Sequence, residues 1–179
     1  MKDSNPRNAE SCPSTYEAWL SQAFREFELP LMGYAAHLLG DRDRAGDVVQ
    51  ETFVRLCRQP RDQVIHNLRA WLYRVCRNQA LDILRKEKRM TTLDESNGSL
   101  PDRREPTPDE PMETRESSRK ASELISQLPE QQQEVIRLKV HGGMSYREIA
   151  ELTGLSVSNV GYLLSTGLKT VRTRLAAVE

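Results

Sequence analysis

The sequence predicts an all-α fold: two small helical domains joined by a flexible acidic Pro-rich linker, the second domain containing a helix-turn-helix. Three observations carry this. Apolar residues repeat at three- and four-residue steps on both sides of the middle of the chain, with no alternating strand pattern of useful length. Between them, residues 91–118 are interrupted by Pro101, Pro106, Pro108 and Pro111 and hold few apolar side chains. Near the C-terminus, the stretch from Ser145 to Leu175 has the small-residue spacing of two helices crossing at a tight turn.

Composition sets the limits. The chain has 179 residues, 37% hydrophobic and 29% charged, which suits two small cores better than one large globule. Lys and Arg number 26 and so do Asp and Glu, so any strong charge is local. No segment approaches the roughly 20 apolar residues of a membrane span, and no membrane insertion is expected. Residues 1–19, "MKDSNPRNAESCPSTYEAW", begin without the apolar run of a secretion signal and are expected to be a disordered tail. Cys12, Cys57 and Cys76 are odd in number and lack a CxxC. The three histidines have no metal-ligand spacing to them, so no metal and no cofactor is expected. Cys57 and Cys76 fall on apolar helix positions and read as buried free thiols, which fits a reducing, cytoplasmic compartment.

The first domain, residues 20–90, opens with a helix that Pro30 can start and Gly40 can end. In the next, Ala45, Val48, Val49, Thr52, Phe53, Leu56 and Cys57 form one buried stripe. Asp47, Gln50, Glu51, Val54 and Arg55 take the other face, where Val54 is an apolar residue among polar ones. "NLRAWLYRVCRNQALDILRKEKR", residues 67–89, holds seven Arg and Lys against Asp82 and Glu87. Its buried stripe is expected to be Leu68, Trp71, Leu72, Val75, Cys76, Ala80, Ile83 and Leu84. Arg69, Tyr73, Arg74, Arg77, Asn78, Asp82, Arg85 and Lys86 are left outside. A generic amphipathic helix mixes charge signs on its solvent side; this one is mostly positive with Tyr and Asn interspersed. That pattern suits phosphate contact with base stacking. Trp71 fits the core as well as a stacking platform.

The linker, counted from Thr91 to Leu128, carries nine acidic and five basic residues, a net of 5 − 9 = −4. In the second domain, residues 119–179, Ser145 and Glu148 have capping-box spacing. Ala150 is small where helices cross, Gly154 permits the turn, and Val160 anchors the following helix, which Ser156 can cap. The N-terminal part of such a second helix enters the DNA major groove, so Ser156, Ser158, Asn159, Tyr162, Ser165, Thr166 and Lys169 are the candidate readers. A plain helical hairpin is the alternative reading of the same spacing. Gly161 and Gly167 weaken this helix locally, and only Lys169 precedes Arg172 and Arg174 as a cation. No globular segment follows Leu175, so no C-terminal regulatory module is expected.

Taken in order, "GDRDRAGDVVQETFVRLCR", the basic segment and "LPEQQQEVIRLKVHGGMSYREIAELTGLSVSNVGYLL" resemble a bacterial RNA polymerase sigma factor of the small, extracytoplasmic-function type. The resemblance covers roughly residues 20–90 and 120–175. It implies a transcription initiation factor that binds core RNA polymerase, directs it to promoter DNA and helps melt it, with catalysis left to the polymerase. The first segment then corresponds to the core-binding part, with Asp47, Gln50, Glu51, Val54 and Arg55 outermost. The basic helix corresponds to the minus-ten reader. There Trp71 and Tyr73 lie among the cations, Asn78 lies near a flipped base, and Arg74, Arg77, Arg85 and Lys86 hold phosphates. The loop of residues 59–67 forms the base pocket, the helix-turn-helix reads the minus-thirty-five element, and the acidic linker threads a polymerase channel. The resemblance also implies an anti-sigma factor as a partner and a monomer when free. A free-standing helix-turn-helix regulator would fit the second half alone, but the strand pattern of a receiver or ligand domain is missing from the first. No nucleophile motif or phosphate loop points to an enzyme.

Overall fold

The structure is a computed structural model in which residues 15–91 and 120–176 are described. Both parts are helical, and no strand occurs among the described residues. The first unit opens with α1, Thr15–Leu39, a single 25-residue helix with Pro30 inside it. This corrects two expectations: the helix starts within the segment expected to be a tail, and Pro30 does not begin a helix. Pro30 removes one intrahelical hydrogen bond, a cost of about 3 kcal/mol. Against it, Ala23, Phe27, Leu31, Tyr34, Ala35 and Leu39 are all buried on one stripe. Each large apolar side chain there contributes roughly 1.5–3 kcal/mol, so the stripe outweighs the proline. At the new N-terminal turns, Tyr16 donates a hydrogen bond to the Cys57 carbonyl at 3.2 Å, and the Arg61 guanidinium lies 5.6 Å from the Trp19 ring centroid.

Gly40, at φ 65°, ends α1. Asp41 then caps α2, Arg42–Cys57, its carboxylate accepting from the Asp43 and Arg44 amides at 2.9 and 3.1 Å. The expected stripe of α2 is buried from Ala45 to Leu56. Cys57 is exposed instead; the helix ends there, and its last turn runs past the edge of the core. Residues 59–67, expected as a loop, contain a turn of helix, α3 (Arg61–Val64), and a 3₁₀ turn (Ile65–Asn67), held down by buried Val64.

Helix α4, Leu68–Thr91, completes the unit against α1 and α2. Leu72, Cys76 and Ala80 are fully buried, as expected. Leu68, Trp71, Val75, Ile83 and Leu84 are half-buried. Tyr73, expected on the outer face, is fully buried, and the reason lies in the second unit. A polar staple crosses the core: Gln79 donates to the buried Thr52 hydroxyl at 3.1 Å, which in turn donates to the Val48 carbonyl at 2.8 Å.

The second unit contains α5 (120–126), α6 (Glu130–Val140), α7 (Tyr146–Thr153) and α8 (Val157–Ala176). Buried Gln133 fastens the α5–α6 turn, donating to the Ser126 and Leu128 carbonyls at 2.9 and 2.7 Å. Both halves of the capping box form: the Glu148 amide donates to Ser145 Oγ at 3.3 Å, and the Ser145 amide to Glu148 Oε2 at 2.7 Å. Gly154 ends α7 at φ 76°, and Ile149, Ala150, Leu152, Val160 and Leu164 close the core between α7 and α8. Gly167 has a packing reason: a Cβ there would lie 2.8 Å from Ile136 Cδ1, so α6 and α8 cross at this point.

Candidate nucleic-acid interface

Three surfaces carry the candidate residues. On α2, Asp47, Gln50, Val54 and Arg55 are exposed and Glu51 is half-buried. Glu51 and Arg55 pair along the helix at 2.9 Å, one turn apart as such pairs require. Beside them α1 offers Phe24, 43% exposed, with its ring 4.8 Å from that of Phe53. The Phe24–Phe53 pair is an apolar edge on the α1–α2 surface that sequence reasoning missed.

On α4, Arg74, Asn78 and Arg85 are exposed. At 100° per residue, steps of four and seven residues bring them to one side of the helix. Arg85 shares its charge with Asp82 at 3.0 Å, and Lys86 is exposed beside it. Trp71, half-buried, borders this side. Two members of the expected set lie elsewhere. Tyr73 is packed inside, its ring 5.3 Å from that of Tyr34 and edge-on to it. Arg77 is bound to Glu134 of α6, Nε to Oε1 at 2.7 Å and Nη2 to Oε2 at 3.4 Å. Burial alone would lower the Arg77 pKa, but the hydrogen bond and charge of Glu134 overcome it and raise the value. Burial also raises the pKa of Tyr34 and of Tyr73.

On the second unit, Ser156 caps α8 by accepting from the Asn159 amide at 3.1 Å. Ser158, Tyr162, Ser165 and Lys169 are exposed, and Asn159 is half-buried. Thr166 departs from the expectation of a free reader. Its hydroxyl lies 2.8 Å from the Tyr162 carbonyl and 3.5 Å from the Gln132 side-chain amide, so its hydrogen bonds are already made. Two further residues join this face. Tyr146 is 44% exposed, and its ring faces Gly161, with Lys139 Nζ 5.6 Å from its centroid. The small residue at 161 leaves room for that aromatic, a signal that spacing within α8 alone did not carry.

A capped helix-turn-helix and a separate helix with an exposed Arg–Asn–Arg side thus occur in one chain. Residues 23–90 match the model of sigma-70 region 2, and residues 118–176 match that of sigma-70 region 4. The ECF RNA polymerase sigma factor SigL of Mycobacterium tuberculosis is 30% identical over 162 residues, 89% of this chain and 90% of that protein. The chain belongs to the ECF RNA polymerase sigma factors. Another relative, ECF RNA polymerase sigma factor EcfG of Rhodopseudomonas palustris, is 30% identical over 131 residues, 73% of this chain and 70% of that one. The fold of this sigma factor also resembles that of RpoE of Bartonella quintana, solved with the anti-sigma factor NepR. The TM-score is 0.69 at 21% identity, over 87% of this chain and 98% of that one. With region 2 in the first unit and region 4 in the second, the free-standing regulator reading has no support. Among the described residues of this sigma factor no helix is long and apolar enough to cross a membrane, and no cluster of three or more His, Cys, Asp or Glu could hold a metal. Residues 92–119, which hold nearly all of the linker, and Cys12 lie outside the described residues.

Proposed function

We propose that this sigma factor is a dissociable, cytoplasmic, non-enzymatic subunit that docks on core RNA polymerase through α2 and reads promoter DNA with both units. The observation that carries this reading is the exposed Arg74–Asn78–Arg85 side of α4, in a chain that also holds a capped recognition helix. Two cations flanking an amide can hold the phosphates of an unpaired strand while the amide meets a base. Lys86 adds a further charge, and Trp71 at the border offers an aromatic edge. Ser158, Asn159, Tyr162, Ser165 and Lys169 would face the upstream element, with Ser156 fixing the helix start. Asn pairs bidentately with adenine, and Ser contacts several bases. Asp47, Gln50, Glu51, Val54 and Arg55 would form the polymerase-facing surface. Of two solved proteins with this fold, RpoE is bound by the anti-sigma factor NepR and CnrH by the cytosolic domain of CnrY; an inhibitor of the NepR kind is the partner this chain would have when not on polymerase.

The test is transcription by purified core polymerase from a library with randomised upstream and downstream elements. Asp47→Lys and Glu51→Lys should weaken core binding with little loss of stability, because exposed charges contribute roughly 0–1 kcal/mol to folding. In the same library Asn159→Ala should change the preferred upstream sequence. Unaltered core affinity in both charge reversals would remove α2 as the docking face.

A further inference from the structure

The second unit lies against the side of the first that borders the Arg74–Asn78–Arg85 stripe. Its Glu134 carboxylate meets donors from two helices of the first unit. Arg77 of α4 gives two hydrogen bonds, at 2.7 and 3.4 Å, and the Tyr34 hydroxyl of α1 gives a third, to Oε1 at 3.2 Å. The Arg77 and Glu134 side chains are 18% and 19% exposed. Next to this cluster, Arg69 Nη1 donates to the Gly143 carbonyl at 3.2 Å. Gly142 is so close to the Tyr73 ring that a Cβ would lie 3.2 Å from Cζ. The contact is imperfect. The Tyr73 hydroxyl is buried in it with no hydrogen-bond partner, a desolvated group that water would satisfy once the units part.

An arginine fork with a phenol beside it, both aimed at one anionic oxygen, is also a phosphate-binding arrangement. It sits one helical step from Asn78, where a strand backbone would run. We propose that Arg77 and Tyr34 form a binding site for a backbone phosphate of the promoter strand, and that Glu134 occupies it in the closed chain. DNA and the second unit then compete for the same two donors, and the free sigma factor holds part of its strand-binding side covered. This rests on the reading of α4 as the strand-binding helix.

The test uses the full chain without polymerase. With Cys12 replaced by Ser, dyes on Cys57, which is exposed, and on an Arg172→Cys substitution report the distance between units by energy transfer. The probe is a single-stranded oligodeoxynucleotide. Adding it to the parent should lower transfer. Glu134→Gln should lower transfer without DNA and bind the oligonucleotide about tenfold more tightly, the scale of one charge-assisted interaction. Adding Tyr34→Phe to Glu134→Gln should weaken that binding about threefold while the fold is kept. The exchange Arg77→Glu with Glu134→Arg should restore high transfer but not binding. Oligonucleotide binding that leaves transfer unchanged, or a Glu134→Gln chain that opens with no gain in affinity, overturns the proposal. Failure of the parent to direct polymerase in the promoter library would instead count against the functional reading, since the transfer measurements require no polymerase.

Discussion

Single residues show how far environment departs from type. Cys57 and Cys76 look alike in sequence, each on an apolar helix position, yet one ends in solvent and the other in the core. Burial pushes the Cys76 thiol up to about 12, so at neutral pH it is almost wholly protonated and inert as a nucleophile. Alkylation of the native chain should modify Cys57 at once and Cys76 only in denaturant, as peptide mass mapping would show. Rapid native labelling of Cys76 would mean that the core of α4 opens readily. Glu148 behaves oppositely. Its pKa is lowered, first by the Ser145 amide that donates to it and then by the Ser145 hydroxyl. A depressed folded value means that its charge stabilises the helix above the ordinary 4.5 and stops doing so as pH falls through the lower folded value. Parent and Glu148→Gln should therefore differ by at most about 0.5 kcal/mol at pH 7, after solvent screening, and converge in acid. Urea titrations at pH 7 and pH 3 check this.

At the scale of elements, what could be read from sequence was what is decided locally. The α7–turn–α8 unit follows from Ser145, Glu148, Gly154 and Ser156, each acting within four residues, and the structure holds all four in their expected roles. The α2 stripe was equally legible until its last residue. The start of α1 is legible in Trp19, Leu20 and Ala23, which already have helical spacing, whereas Pro30 downstream is a local signal for a helix start that the buried stripe overrides. Tyr73 and Arg77 were not legible, because what surrounds them comes from across the chain; Glu134 is 57 residues from Arg77, and nothing near it marks it as a partner. The glycines of α8 show a similar split. Gly161 would place a Cβ at ordinary contact, 3.7 Å, from the Tyr146 ring. Gly161→Ala should thus stabilise by roughly 0.5–1 kcal/mol through helix propensity. At Gly167 the Cβ would press on Ile136, which is 1% exposed and has nowhere to move. Overpacking of about 1–3 kcal/mol outweighs the propensity gain there, so Gly167→Ala should destabilise. Thermal melts of the pair decide it: equal shifts of the same sign would mean that α6 and α8 are looser than their contact indicates.

Across the whole molecule, the two units communicate through a small contact: Arg69, Arg77, Tyr34 and Tyr73 on one side, Glu134, Gly142 and Gly143 on the other. A Cβ on Gly142 would stand 2.5 Å from the Leu138 carbonyl oxygen, a backbone atom that cannot step aside cheaply. Gly142→Ala should therefore disturb the α6–α7 corner and, through it, loosen the first unit. Hydrogen exchange should accelerate at amides of α4 near Tyr73 although the substitution lies in the other unit; acceleration confined to the second unit would show that the contact carries little energy. The placement of the tryptophans also matters for how such coupling can be watched. The chain has two, Trp19 beneath Arg61 on α1 and Trp71 at the border of the α4 stripe. The second unit has none, so the indole emission of the intact protein comes from the first unit alone. A change in that emission after a substitution confined to α6 or α8 is a signal received at a distance, read without any label, from the half of the molecule that did not change.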